Sequence, residues 1–302
     1  MRKLIRWIVP AIVIVSALAP LGGRGQDGRG QGGRGQGGAL GRGAQPVAYD
    51  DYAGYVKLWD GRTFNGWEGE TDVWSIDNDA IHADTTKTPG QHHLHYIGPG
   101  AIMKDFDLKV EFRISEMGAN GGIQYRSRLL HPAHGGSIEN PLGKALPAGI
   151  TTLAKAIAAG VTSAPAGGGQ APNPWQVSGY QFDLDSGNRY TGQLYEGQGR
   201  GIVNPPGGVV QLLPDGRNIR IGSAVEDPLK FVKPHKGLAG EWQQVQVVAR
   251  GNTLVHIING QVITISIDDN PAARANQGIL SLQLEGSGQI WYRNVYVKQL
   301  EK

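Results

Sequence analysis

The chain has 302 residues, 39% of them hydrophobic, with 47 glycines, 17 prolines and no cysteine. That is apolar material for one large core and many turns, and it excludes a disulfide framework and a thiol-linked lipid anchor. The formal net charge of +3 is unevenly placed: residues 1–45 hold seven Lys or Arg and one Asp, so the rest of the chain carries 22 basic against 25 acidic side chains, a net of −3. A mildly acidic body excludes nucleic acid as a partner, because phosphate neutralisation needs a concentrated basic face.

At the N-terminus, Arg2, Lys3 and Arg6 precede the apolar run Trp7-Ile8-Val9-Pro10-Ala11-Ile12-Val13-Ile14-Val15 and the small residues Ser16-Ala17-Leu18-Ala19. Positive charge, a short apolar run and a small-residue end predict an export signal over residues 1–21, and hence a periplasmic or extracellular protein. The alternative is an uncleaved anchor, the only membrane contact the sequence suggests, although the run is shorter than the roughly 20 residues a span needs. Residues 22–47 repeat a Gly-Arg-Gly-Gln theme that can bury nothing and predict a flexible tether. The Gly-x-Gly spacings lack the preceding strand and following helix of a dinucleotide site.

Residues 48–302 read as one all-β domain. Leu108, Val110, Phe112 and Ile114 alternate with Asp107, Lys109, Glu111 and Arg113, the pattern of one buried and one wet face. Gly122 to Arg128 is a second strand, with Gln124 and Arg126 on one face. Between 131 and 175 lies an insertion whose Thr151 to Ala159 segment is the one helical candidate; it joins two polar strands and is either a lid or a loop without structure. Asn259-Gly260, set between two apolar runs from Leu254 to Ile267, predicts a hairpin because both turn positions need positive φ. Ile279 to Leu284 and Ile290 to Val297 supply two more strands, and without strand–helix alternation the segments predict a two-sheet antiparallel sandwich.

The segment Ser178 to Gly192 carries the chemistry. Tyr180, Phe182 and Leu184 point one way; Gln181, Asp183 and Asp185 point the other, toward water or a ligand. Asp183, central in that row, is the candidate general base, since a carboxylate partly stripped of water has its pKa raised toward neutrality. His256 is the second base candidate, with a buried structural histidine as its other reading. Glu196 is the candidate acid or else a partner of Arg189 or Arg200. Arg126 is a candidate stabiliser of developing negative charge or else a salt-bridge partner of the Asp183 row. Gln124, Gln181, Asp185, Tyr195, Gln283, Glu285 and Trp175 complete the expected substrate-binding set. Most other tryptophans, Trp59, Trp67, Trp74 and Trp291 among them, are expected in the core. His93 and His95 share a strand face and could hold a divalent ion together with a carboxylate, so the cofactor stays open between none and such an ion.

In order along the chain, Leu58-Trp59-Asp60-Gly61-Arg62-Thr63-Phe64-Asn65-Gly66-Trp67, Trp74-Ser75-Ile76, Phe106 to Ile114, Gly240-Glu241-Trp242, Ala249-Arg250-Gly251-Asn252, Val255 to Gly260 and Trp291-Tyr292-Arg293-Asn294-Val295 resemble the 3-keto-disaccharide hydrolase family from about Val56 onward. The resemblance implies a concanavalin A-like jelly roll with a concave ligand face. It also implies a carbohydrate substrate already oxidised at C3 by a separate dehydrogenase. Cleavage would proceed by C2 proton abstraction, loss of the C1 substituent and hydration. Glu285 stands where the family often shows histidine. Gln181-x-Asp183-x-Asp185 also resembles the Glu-x-Asp-x-Glu strand of retaining endoglucanases, but Gln181 can be neither acid nor nucleophile in a pair about 5 Å apart. A non-catalytic carbohydrate-binding module on the same sandwich is the competing class.

Overall fold

A computed structural model describes residues 49–70, 72–115, 118–130, 175–235 and 240–300. The predicted signal, the tether and the helical candidate of the insertion lie outside the described residues. One sheet has ten strands, in the order β12 (Asn218–Ser223), β11 (Gly208–Leu212), β15 (Gln261–Asp268), β14 (Thr253–Ile258), β13 (Gln243–Arg250), β6 (Phe106–Ile114), β17 (Gln289–Gln299), β4 (Ala80–Asp84) and β3 (Trp74–Asp77), with β1 (Val56–Lys57) also pairing β17. The other has seven: β10 (Gly201–Asn204), β9 (Leu194–Gly197), β8 (Val177–Asp185), β7 (Ala119–Leu129), β16 (Ile279–Gly286), β5 (Gly90–Tyr96) and β2 (Trp67–Gly69). The only helical element among the described residues is a 3-10 turn at Pro228–Phe231.

Period-2 alternation decides what each sheet buries. Phe106, Leu108, Val110, Phe112 and Ile114 of β6 meet Tyr180, Phe182 and Leu184 of β8 and Leu280, Leu282 and Leu284 of β16 in one core. Each fully buried side chain of this size contributes roughly 1.5–3 kcal/mol. Trp59, Trp67, Trp74 and Trp291 are buried as expected. Asn259 and Gly260 take φ of 49° and 82° in the β14–β15 turn, as the hairpin pattern requires.

Two of the departures from simple antiparallel alternation bear on the site. β11 runs parallel to β15, with Val209 opposite Ile265. At the Asn204-Pro205-Pro206-Gly207 corner the chain leaves β10 in one sheet and enters the other, and the Asn204 amide pins the corner by donating to Ile265 O at 2.8 Å. The second departure is a bulge in β7 between Tyr125 and Arg128, where Arg126 adopts a φ of 48°. An extra residue at a bulge reverses the face count beyond it.

Candidate functional site

The face of the seven-stranded sheet turned away from the core is polar. Cross-strand register lines up Glu68, His95, Ser281, Gln124, Gln181 and Tyr195 in one row. A second row holds His93, Gln283, Gly122 and Asp183, and a third Gln91, Glu285, Asn120 and Asp185. Leu282, Leu284, Phe182 and Leu184 anchor the same strands from beneath, so the polar side chains stand on a rigid base.

Several of these groups are withdrawn from water without partners. His93 and His95 are 0% exposed, and Gln124 and Gln283 are 1% exposed. Both ring nitrogens of His93, Nε2 of His95, and the amide oxygens of Gln124 and Gln283 have no hydrogen-bond partner among the described residues. Buried polar atoms are nearly always paired, so this convergence on one face makes it the candidate binding surface. Burial holds both imidazoles neutral: it drives the His93 pKa well below the ordinary value and lowers that of His95 to about 3.

Asp183 sits at the centre of its end of the face. Its Oδ1 accepts from Gln181 Nε2 at 3.0 Å and from Leu184 N at 3.2 Å, and its Oδ2 accepts from Gln193 Nε2 at 2.5 Å. Burial raises its pKa to about 7 against the opposing pull of these bonds, with the charge of Asp185 adding to the rise. Gln181 is in turn held by Gln124 Nε2, which donates to its Oε1 at 2.7 Å. Tyr195 is half-buried, and its phenol is raised first by burial and then by the charges of Glu285 and Asp183. Glu285 shares the face, its carboxyl is raised by desolvation, and Gln283 Nε2 lies 3.4 Å from its Oε2. At the other end, the Trp175 ring stacks on His95 at 5.9 Å. Asp183, Gln181, Gln124, Tyr195, Gln283, Glu285 and Trp175 thus belong to one surface.

Four expected site residues lie elsewhere or do other work. Glu196 follows Tyr195 and therefore points to the opposite side of β9, where Arg200 Nε bonds its carboxylate and the Arg200 fork also takes Asp268. His256 lies between the sheets, its Nδ1–H donating to Gly192 O at 3.1 Å and its Nε2 accepting the Tyr125 hydroxyl at 2.8 Å. Burial lowers its pKa to about 4. Arg126, turned by the bulge, donates to Lys104 O, Gly251 O and Ala275 O and pairs with Asp105 at 3.0 Å. It lines a cavity of about 220 Å³ with Arg128, Glu196 and Arg200, apart from Asp183. Asp185 faces the right way, but its oxygens accept from Gly187 N and Arg189 N, which shapes the turn after β8.

The metal expectation finds no donor set: among the described residues no three His, Asp or Glu side chains group as metal ligands. The His93 and His95 rings stack with their centroids 6.0 Å apart. No step is assigned to a metal ion. The sequence reading missed Gln193, although it alternates with Tyr195 on the Asp183 face. It also missed Ser281, although Ser281, Gln283 and Glu285 alternate with leucines.

Residues 54–298 match the 3-keto-alpha-glucoside-1,2-lyase-like domain. No curated protein matches the chain. Among solved structures, a Bacillus subtilis protein of unknown function with a galectin-like fold is similar at 11% identity and a TM-score of 0.46, over 83% of this chain and 92% of that one. The carbohydrate-binding module CBM66 of Bacillus subtilis is similar at 10% identity and 0.42, over 78% and 96%. The apo Crh5 transglycosylase is similar at 8% identity and 0.43, over 82% and 84%.

Proposed function

The chain belongs to the 3-keto-alpha-glucoside-1,2-lyase-like domain family, and on that premise we propose that it is an exported enzyme cleaving glycosides whose C3 hydroxyl has been oxidised to a ketone. The observation that carries this reading is Asp183: a buried carboxylate with a pKa of about 7, flanked by two amide donors at the centre of a polar sheet face. A base poised near the working pH is what proton abstraction beside a carbonyl demands.

The ketone acidifies the hydrogen on C2. Asp183 takes that proton, and the electron pair forms the enolate. Collapse of the enolate forms C1=C2 as the C1–O bond breaks, and the leaving oxygen acquires a proton. Water then adds at C1 while C2 regains a proton, so the sum is hydrolysis with no oxidant consumed. The ketone itself must come from an oxidoreductase acting earlier. The buried carbonyl oxygens of Gln124 and Gln283 have no partner among the described residues and are acceptors suited to sugar hydroxyls. The neutral His93 ring offers one donor and one acceptor, whereas His95, whose Nδ1 lies 2.9 Å from Ser281 Oγ, has only Nε2 free.

A carbohydrate-binding module is the second reading, favoured by those same glutamine oxygens, which bind without reacting. Incubation of the purified chain with a 3-keto-glucoside and its unoxidised parent separates the two. Release of the aglycone from the keto compound alone, lost by a factor of about 10² or more in Asp183→Asn with binding retained, is expected. Glycan binding without cleavage of either compound would establish the module instead. Release of reducing ends from an unoxidised glucan would make the protein a conventional glucanase.

A further inference from the structure

We propose that Tyr195 is the catalytic acid of this site, donating its phenolic proton to the oxygen that leaves C1. The inference rests on the ketoglycoside reading above and replaces the role the sequence suggested for Glu196.

The placement follows from the backbone. Tyr195 is the direct cross-strand neighbour of Gln181, and the Gln181 amide bonds the Asp183 carboxylate. Two residues earlier on the same face, Gln193 holds the other Asp183 oxygen. The backbone thus sets Tyr195 on the Asp183 face, opposite one of the glutamines that grip the base and two residues from the other. Glu196, one residue on, is committed to Arg200 on the far side of the strand. The Tyr195 phenol is half-buried and makes no hydrogen bond among the described residues, so its proton is available to a ligand lying over Asp183.

Electrostatics couple the two groups in the useful direction. Burial first, and then the charges of Glu285 and Asp183, raise the Tyr195 phenol. Before reaction, this keeps the proton on the phenol. When Asp183 accepts the C2 proton, one of those two negative charges disappears, and the phenol becomes more acidic as the C1–O bond starts to break. In the elimination, the C2 hydrogen passes to Asp183, the C2–H pair becomes C1=C2, the C1–O pair leaves with the alcohol oxygen, and that oxygen takes the Tyr195 proton. In the hydration, the phenolate takes a proton from the water attacking C1, and Asp183 returns its proton to C2. Both residues end as they began.

The test compares two 3-keto-glucosides, one with a simple alcohol as leaving group and one with 4-nitrophenolate, which leaves without protonation. Tyr195→Phe should slow the first by about 10²-fold or more and the second far less, so that the ratio of the two rates widens. Its melting temperature should stay near that of the parent, since a half-buried hydroxyl with no internal partner is removed. Equal slowing of both substrates would overturn the proposal, leaving Tyr195 a mere wall of the site. So would a Glu285→Gln variant that shows the leaving-group dependence when Tyr195→Phe does not. If the parent protein cleaves neither ketoside, the reading beneath the inference fails, and the inference with it. That outcome is distinct, because it appears before any variant is made.

Discussion

Gln193 Nε2 and Asp183 Oδ2 lie 2.5 Å apart, joining the residue that enters β9 to the polar centre of β8. A donor aimed at a carboxylate favours its charged form, whereas burial favours the neutral one. In Asp183 burial prevails, and the balance comes to rest at about 7.

The rate of ketoglycoside cleavage should therefore rise with pH through an apparent pKa near 7, the ionisation of Asp183 as base. Glu285, Tyr195 and Asp185 share its surroundings, but none of them replaces the amide bond. Gln193→Leu removes a hydrogen bond to a charged group, worth about 1.5–3 kcal/mol, and should move the rising limb up by about one pH unit or more. A limb that stays in place in kcat/KM against pH would show that another group is being titrated.

Three buried imidazoles set a separate pH dependence, this time of stability. In the unfolded chain a histidine protonates near 6.5. In the fold, burial lowers His256 to about 4 and His95 to about 3 and drives His93 far down as well. Their folded-state pKa values are depressed, so below 6.5 the unfolded chain binds protons the fold refuses. Stability is present above pH 6.5 and lost as pH falls toward 4, by about 3 kcal/mol for His256 alone at roughly 1.4 kcal/mol per pH unit. Asp183 has the opposite sign. Its raised folded pKa keeps the proton that the unfolded chain has lost, so its contribution declines as pH rises from about 4 to 7. Three histidines against one aspartate should still give a melting temperature that falls from pH 7 to 4.5. His256→Gln should flatten that fall whatever it does to absolute stability. An unchanged slope would mean that His256 is protonated in the fold.

Much of the sandwich and part of the site were legible because alternation is a local property. Leu108 to Ile114 and Tyr180 to Leu184 declare their buried faces two residues at a time, and Asn259-Gly260 declares its turn. The row around Asp183 follows from the same rule. Arg126 was misplaced because the rule has no term for a bulge, and the φ of 48° that turns the residue leaves no sign in the side-chain order. Asp185 carried a usable sign, since Asp-Ser-Gly-Asn favours a turn closed by the aspartate side chain. His93 and His95 were recognised as sharing a face. Their complete burial is a property of the folded face, and no local pattern reports it.

Glu196 and Arg200 offer the sharpest contrast between the two kinds of reading. Arg200 stands between Glu196 and the fully buried Asp268, which also accepts the Tyr180 hydroxyl at 2.5 Å. Removing the arginine leaves two carboxylates facing each other with little water. Arg200→Ala should thus destabilise the fold by about 3–5 kcal/mol. Glu196→Gln keeps the Arg200–Asp268 fork and should change stability by about 1 kcal/mol, with kcat for ketoglycoside cleavage nearly intact. Urea melts of both variants and turnover of the second decide the matter. Loss of turnover in a well-folded Glu196→Gln protein would return Glu196 to the catalytic set.

Gly122 lies between Gln283 and Asp183 in its row, and the space over its α-carbon is filled by the Gln181 side chain. A Cβ there would land on the Gln181 amide, the flexible end of a side chain and not backbone. Gly122→Ala can therefore be accommodated, but only if Gln181 swings away from Asp183 and from Gln124. Its interior-strand position also makes alanine a better strand former than glycine. The expected variant melts within a few degrees of the parent yet has lost one of the two amide donors that hold the base. Turnover should fall by about tenfold or more, and the rising limb of the pH profile should move upward, as in Gln193→Leu. In the double variant, Asp183 keeps only the Leu184 N–H, and the limb should move further than in either single variant. An alanine variant with parental turnover and an unmoved limb would show that Gln181 does not govern Asp183, and that the glycine serves only the packing of β7.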